Sequence, residues 1–389
     1  MEQKINEINW EQAFERGILR IGNTERLSCV MRRAMVGAAL KVAFIGGSIT
    51  AGAAAPTPEG CYAYQVYSWW RKKFPLAKVE YLNAGVGATT SKFGVARVKE
   101  DVLSQKPDVI FVEFSVNDTD TPIYGETFEG LIRTILLDQE EPAIIMINHV
   151  FYDDGRNAQR VHNEVGAFYD LPIVSMKESL FEEIRRGSIK NTDISADNLH
   201  PNEFGHQLVA GVILHLLEQI YRLVTEETHR TAVNSYINGK PQEAFYQLKE
   251  PLTANRYFGS CRKNCINYEP KAWGFSKDET EKDGVWDVFR YGWGAKKAGS
   301  RIQFEVEGWL ISVQYRKYAI HPAPIARAVI DGDEEHAVLL DANFDETWGD
   351  CLCLQDVYLA EQRGKHTIEI ILENEVPEKE FYLASIITA

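Results

Sequence analysis

The run Lys41-Val-Ala-Phe-Ile-Gly-Gly-Ser-Ile-Thr-Ala-Gly52 ends an uninterrupted apolar stretch at two glycines and a serine. Val42 to Ile45 read as a short strand of the buried, parallel kind. Gly46 and Gly47 permit a sharp turn and leave room for another backbone to come close. Ser48 then falls at the carboxyl end of the strand, the edge where open α/β sheets bind their ligands. A helix-capping serine or a phosphate-cradling turn would look the same over this stretch, so the rest of the chain has to decide.

Around this run the hydrophobic pattern alternates between strand and helix. Candidate strands are 42–46, 79–83, 108–114, 143–148 and 172–175, and helices are expected at 25–36, 91–104, 126–138, 157–169 and 177–186. That order makes βαβ units and a parallel sheet covered on both faces. An amphipathic helix from Asn202 to Val224 closes the first domain, residues 1–224, whose first 40 residues form an N-terminal extension. Residues 225–250 are polar and read as a linker or docking arm. From 251 to 389 short alternating strands separated by turns such as Asp331-Gly332-Asp333 predict a smaller antiparallel β-sandwich, jelly-roll-like in character.

The 42 Lys and Arg against 56 Asp and Glu leave a net charge of −14. This argues against nucleic acid or an anionic membrane as partner, since both need a basic face. No signal-like segment opens the chain and no run reads as long enough to span a bilayer, so a cytoplasmic location is expected. Six cysteines in 389 residues are too few for a disulfide scaffold. Cys261, Cys265, Cys351 and Cys353 miss the usual zinc spacings and are read as reduced structural thiols, so no metal and no cofactor are expected.

Three more stretches fall at strand ends of the first domain. They are Asn83-Ala-Gly-Val-Gly-Ala-Thr-Thr-Ser91, Phe111-Val-Glu-Phe-Ser-Val-Asn-Asp118 and Asp197-Asn-Leu-His-Pro-Asn-Glu-Phe-Gly-His206. Parallel strands bring such ends to one edge. Asp197 and His200 are one helical turn apart, so the carboxylate can hold one ring nitrogen while the other takes the serine proton. Backbone N–H groups of the glycine-rich stretch and the Asn117 amide can face a tetrahedral oxyanion.

These four blocks resemble those of the SGNH or GDSL hydrolases: Gly46-Gly47-Ser48-Ile49-Thr50 its serine block, Asn83 to Thr90 its glycine block, Ser115-Val-Asn117-Asp118 its asparagine block and Asp197-x-x-His200 its histidine block. The resemblance covers about residues 22–222. It implies a flavodoxin-like αβα sandwich with Ser48 as nucleophile, His200 as base and Asp197 as orienting acid. The oxyanion hole would combine Ser48 N–H, Asn117 and an N–H of Gly87 or Ala88. Ser115 and Ala88 stand where the family more often has glycine.

The second domain is rich in tryptophan, and Asp283 to Gly294 mixes aromatics, glycine and charge as loops of sugar-binding sandwiches do. The pairing more loosely resembles two-domain carbohydrate O-acetyl esterases with a carbohydrate-binding-module-like C-terminal domain. It implies an acetylated oligosaccharide of mannan or xylan as substrate. On that reading His149, Trp286 and Trp293 are candidate substrate contacts. Two other functions fit the sequence: a lipid or thioester acyl hydrolase on the same fold, and a non-catalytic sugar-binding protein. The oligomeric state stays open, a homo-oligomer included.

Overall fold

The computed structural model describes residues 8–230, 250–280 and 288–389. The chain divides into two units, Met1–Phe258 and Gly259–Ala389.

In the first unit the apolar runs form β1 (Ile18–Arg20), β2 (Ala39–Gly46), β3 (Lys78–Gly85), β4 (Val109–Val112), β5 (Ala143–Asn148) and β6 (Ile173–Ser175). Their order is β1-β6-β5-β4-β2-β3, with β2 to β6 parallel and β1 antiparallel at the edge. This is the flavodoxin-like order, in which the chain leaves β2 for β3 on one side and returns to β4 on the other. The carboxyl ends of β2 and β4 therefore flank the switch point, where the ends part and leave a crevice. Every residue of β4 and β5 is buried, as strands covered on both faces must be.

The helices are α1 (Trp10–Arg16), α2 (Glu25–Met35), α3 (Tyr62–Lys73), α4 (Ser91–Asp101), α5 (Pro122–Leu136), α6 (Gln159–Phe168) and α7 (Glu203–Arg230). One sheet face, with Val42, Phe44, Val109, Phe111 and Ile145, packs against apolar stripes of α2, α3 and α7. There Phe44 stacks on Phe111 at 4.6 Å and 8°. Alternate residues point to the other face, where α6 comes so near that a Cβ on Gly166 would lie 2.6 Å from the Met146 sulfur. Glu203–Glu226 of α7 is long and apolar enough to cross a membrane by length and composition, contrary to the sequence reading, and half of that window is buried. Val209, Val212, Ile213, Leu216 and Leu217 of this helix fill the core instead.

Other boundaries move. β1 was not expected from the pattern, and 177–186 is a π turn, Lys177–Phe181, followed by the short helix Glu182–Arg185. Of the expected linker, 231–249 lies outside the described residues. Residues 250–258 belong to the first unit and not to the sandwich. They are held by two carboxylates one turn apart on α5. Glu129 accepts from the N–H groups of Leu252 (2.6 Å) and Thr253 (2.8 Å), from the Thr253 hydroxyl and from Tyr169. Glu126 accepts from the Arg256 N–H and from its guanidinium at 3.1 and 3.0 Å.

The second unit is antiparallel throughout its ladders: β7 (Cys261–Lys263), β8 (Lys271–Trp273), β9 (Ser276–Lys277), β10 (Trp293–Ala295), β11 (Arg301–Lys317), β12 (Ile325–Ile330), β13 (Asp333–Asp341), β14 (Cys351–Leu372) and β15 (Phe381–Thr388). The pairs expected as separate strands at 301–307 and 310–315 are one strand. Its register with β14 shifts between Gly308 and Leu310. Before the shift β11 is flanked by β14 and β8, and after it by β14 and β15. Phe304 and Ile368 from one half meet Val313, Tyr315 and Leu383 from the other in a single core. The sequence expectation of an antiparallel C-terminal domain holds. Asp331 and Gly332 both have positive φ, 53° and 77°, which suits the tight β12–β13 turn.

Glu129→Ala would remove the acceptor of four donors at once, three of them on residues 252 and 253 and one on the buried Tyr169. The expected outcome is a loss of about 2 kcal/mol or more of first-unit stability by urea unfolding, with Glu129→Gln costing clearly less.

Candidate active site

Strand β2 ends at Gly46, and the next residues turn into the four-residue helix Ser48–Ala51. This turn has no room for side chains. A Cβ on Gly46 would collide with Thr50 and sit 2.6 Å from the Glu113 carbonyl, and one on Gly85 would run into the backbone of Ala51. Asn83, at the end of β3, fixes the short helix by donating to the Thr50 carbonyl at 2.7 Å and accepting from Gly85 N–H at 2.9 Å. The Gly46 carbonyl accepts from Val86 N–H at 2.9 Å and from the buried Arg97 guanidinium at 3.3 Å. Ser48 is thereby set, partly exposed, at the mouth of the crevice.

Its Oγ lies 2.8 Å from His200 Nε2, and His200 Nδ1 lies 2.6 Å from Asp197 Oδ2. A carboxylate only accepts, so Nδ1 carries the ring proton and Nε2 is free to accept from the serine. Asp197 Oδ1 accepts from His200 N–H (2.8 Å), Leu199 N–H (3.0 Å) and the buried Ser195 hydroxyl (3.1 Å). Partial burial pushes this carboxyl up, but the His200 ring and the two backbone donors prevail and hold it at about 2. Asn202 starts α7 by accepting from Gly205 N–H at 2.9 Å, and its own amide ties the loop back to Asp193 at 3.0 Å. The Tyr152 N–H donates to the Asn198 carbonyl at 2.7 Å, so the loop after β5 braces the loop that carries His200.

The oxyanion side is equally close-packed. The Asn117 side-chain amide fills the space a Cβ on Gly47 would need, and Gly87 sits 3.6 Å from the Ser48 Cβ by the same measure. Ala88 is exposed and holds φ at 55°, a left-handed conformation unusual for alanine. Asp118 accepts from the Ser91 N–H at 2.9 Å, so the asparagine loop is fastened to the start of α4, and its other oxygen meets His162 at 2.9 Å.

The remaining candidates lie elsewhere. His149 is fully buried and turned edge-on to Tyr62 at 5.3 Å, so it points into the core and not toward a ligand. Burial and the neighbouring His206 push it down to about 3, which keeps it neutral. Trp293 is a correction: it is 1% exposed, packed against Phe304 inside the sandwich, and presents no face to a sugar. Trp286 lies outside the described residues. Cys261 contacts the Thr388 hydroxyl and Cys265 the Asp278 carbonyl, and no cluster of three metal-type ligands occurs among the described residues.

Sequence reasoning passed over Glu113. It is buried just after β4, and one oxygen accepts from Ser115 N–H (3.0 Å) and Ser115 Oγ (3.2 Å). The available signal was a lone carboxylate in the apolar run Val109-Ile-Phe-Val-Glu-Phe. Burial first pushes its carboxyl up, the hydrogen bonds from Gly47 and Ser115 oppose this, Asp118 adds to it, and the result is about 7.

A flavodoxin-like sheet with a serine, histidine and aspartate chained at its carboxyl edge defines a class of acyl hydrolases. Residues 44–208 match the GDSL-like lipase/acylhydrolase family, and the chain belongs to that family. Over 96% of its length it is similar, at 43% identity and a TM-score of 0.88, to a two-domain esterase active on acetylated mannans that was crystallised with mannopentaose, covering 97% of that chain. A second structure of a two-domain esterase active on acetylated mannans agrees at a TM-score of 0.87, with 43% identity over 96% of this chain and 98% of that one. Among curated proteins, an acetylxylan esterase of Geobacillus stearothermophilus is 25% identical over 207 residues, 46% of this chain and 94% of the relative. The protein is a carboxylic ester hydrolase.

The weakened acidity of Glu113 has a thermodynamic consequence. The folded state holds this proton more tightly than the unfolded state, so folding stability from this group falls as pH rises from about 4.5 toward about 7. Tyr62 and Asp118 are the titratable groups coupled to it. Denaturant titrations of wild type and Glu113→Gln over this range should show the difference moving in favour of the glutamine variant with rising pH, and levelling off above it.

Proposed function

We propose that the protein removes O-acetyl groups from carbohydrate, with acetylated mannan or xylan oligosaccharides as substrates, through an acyl-enzyme on Ser48. The observation that carries the reading is the unbroken chain Ser48 Oγ–His200–Asp197, at 2.8 and 2.6 Å, beside the amide of Asn117. The likeness to an esterase active on acetylated mannans over nearly the whole chain supports the substrate class.

The geometry supports a two-step acyl transfer. Ser48 Oγ gives its proton to His200 Nε2 as it attacks the acetyl carbonyl, and Asp197 holds the imidazolium in place. The developing oxyanion is met by the Ser48 N–H at the start of its short helix, by the Asn117 amide and by an N–H from Gly87 or Ala88. His200 then returns the proton to the leaving sugar hydroxyl. A water activated by the same nitrogen releases acetate and restores Ser48. An acetyl group is small, so discrimination among sugars must come from contacts to the rest of the ligand.

Ser48→Ala should abolish release of acetate from acetylated mannan and xylan fragments, followed by mass spectrometry, while leaving thermal unfolding nearly unchanged. Activity within tenfold of wild type would remove Ser48 as nucleophile. Asn117→Ala should cost about 3–4 kcal/mol of transition-state stabilisation, roughly 10²–10³ in kcat, with KM little changed. A series of 4-nitrophenyl esters of increasing acyl length should also show activity dropping sharply beyond acetyl, and a rise with chain length would favour a lipid hydrolase.

A further inference from the structure

We propose that Asp118 and His162 form a positioning pair for ester cleavage: their buried side chains hold the loop that carries Asn117 in place against the loop that carries Gly87 and Ala88. The proposal rests on the esterase reading above. The two loops supply the oxyanion donors, and no strand ladder joins them directly. β2 lies between β3 and β4, so the glycine loop after β3 and the asparagine loop after β4 leave the sheet from strands that do not touch. The glycine loop is anchored beside Ser48, because Val86 N–H donates to the Gly46 carbonyl at 2.9 Å. The place of Asn117 relative to it has to be set by contacts beyond the strand ends.

Asp118 makes such a contact. The N–H groups of Asn117 and Asp118 both donate to the Phe114 carbonyl, at 3.1 and 2.9 Å, so the two residues share one tight turn. From that turn the buried Asp118 carboxylate reaches two other segments of chain. Oδ1 accepts from the N–H of Ser91, the first residue of α4, at 2.9 Å, and Oδ2 accepts from His162 Nε2 on α6 at 2.9 Å. Thr90, in the N-cap position of α4, gives the helix no side-chain cap of its own. The cap comes instead from an acid beside Asn117, where the positive end of the helix dipole favours it. A helix start that directly follows the glycine loop is thereby tied to the turn that holds Asn117.

His162 points to orientation and not to packing alone. It is 1% exposed, and its ring stacks on Phe128 of α5 at 3.8 Å and 12°. A carboxylate only accepts, so Nε2 carries the ring proton. Nδ1 is buried without a partner among the described residues. A ring with one nitrogen left bare is a poor way to stabilise a core, and phenylalanine would stack on Phe128 without that cost. The bond from Nε2 fixes the plane of the Asp118 carboxylate, and that plane aims its other oxygen at Ser91. The loop also has a second anchor, since the Ser115 carbonyl accepts from Ala158 N–H at 2.7 Å. Loss of Asp118 therefore shifts the turn without releasing the whole loop.

The test is a double-mutant cycle. Asp118→Ala, Asp118→Asn and His162→Phe are each made in wild type and in Asn117→Ala. The readouts are kcat and KM for 4-nitrophenyl acetate, the rate at which a fluorophosphonate labels Ser48, and thermal unfolding. In wild type, Asp118→Ala should lose about 20-fold or more in kcat and in labelling rate, part of what removal of the donor itself would cost, with KM within about twofold. Asparagine keeps an oxygen for Ser91 N–H and offers its amide to the other tautomer of His162, so it should stay within about threefold of wild type. His162→Phe keeps the stack, loses one bond of the two, and should lose about tenfold in kcat. In Asn117→Ala each of these changes should cost less than about threefold, because the donor whose place they set is already gone. Losses of equal size in both backgrounds would overturn the proposal, since they would mark the pair as structural only. So would a folded Asp118→Ala with kcat within about threefold of wild type, an asparagine variant no better than alanine, or losses confined to KM. Should Asp118→Ala not fold, His162→Phe decides, and a kcat within about twofold of wild type would then overturn the proposal. Wild-type protein inert toward both the ester and the fluorophosphonate would overturn the esterase reading itself, and this inference with it.

Discussion

Everything at the carboxyl edge depends on how closely backbones can approach one another there. The Ser48 turn is wedged between β3 and β4: Gly85 lies against Ala51, Gly46 against the Glu113 carbonyl, and Gly47 against the amide of Asn117. None of these glycines is required by its φ, since none has a positive one. They are required because a methyl group would push apart segments that must meet within hydrogen-bond reach. A well-packed interior transmits such a push and does not absorb it. The glycine content of the serine and glycine blocks is thus a packing demand, and catalysis inherits its geometry from that packing.

This explains why so much of the site could be read from the chain. Close backbone approach leaves a trace in sequence, as glycine at the end of a β-branched run, and parallel topology then dictates that such ends share an edge. The expectation of Ser48 at that edge rested on those two facts, and that of Asp197 and His200 on their spacing of one helical turn; the structure joins Ser48, His200 and Asp197 in one hydrogen-bonded chain. Strand β1 left no trace because it is three residues long, largely exposed and paired irregularly with β6. Residues 250–258 left none because their anchors, Glu126 and Glu129, sit more than a hundred residues away in sequence on α5. Glu113 was visible as a misplaced charge, but its partners were not. Ser195 carried no signal at all.

The second unit shows the opposite limit. Alternation correctly announced strands, yet it could not tell that two expected strands were one, because a register shift at Gly308 preserves the alternation on both sides. Gly308 is where β11 passes under the C-terminal carbonyl: a Cβ there would come within 2.7 Å of the Ala389 oxygen. Phe304 and Tyr315, on either side of the shift in this one strand, both enter the same core. Of the aromatic run that suggested a sugar-binding rim, Trp293 is consumed in this way. Trp293, Phe304, Tyr315 and Phe381 supply the apolar area that a small sandwich needs to stand.

The carboxylates of the site divide their work by environment. Asp197 is half exposed, so its attraction to an imidazolium is screened by solvent and cannot supply much energy by itself. Three donors converge on its other oxygen, two of them backbone N–H groups of the turn that carries His200. Carboxylate and ring are therefore parts of one rigid turn, and the bond to Nδ1 selects a tautomer and a ring angle without having to hold the loop. Glu113 and Asp118 are buried: Glu113 accepts from the Ser115 N–H in its own loop, and Asp118 joins the start of α4 to His162. The exposed acid orients a side chain, and the buried ones hold backbone. That allocation follows from dielectric: a charge that must stay ionised while a neighbour gains and loses a proton is best kept near water, where its own ionisation costs least.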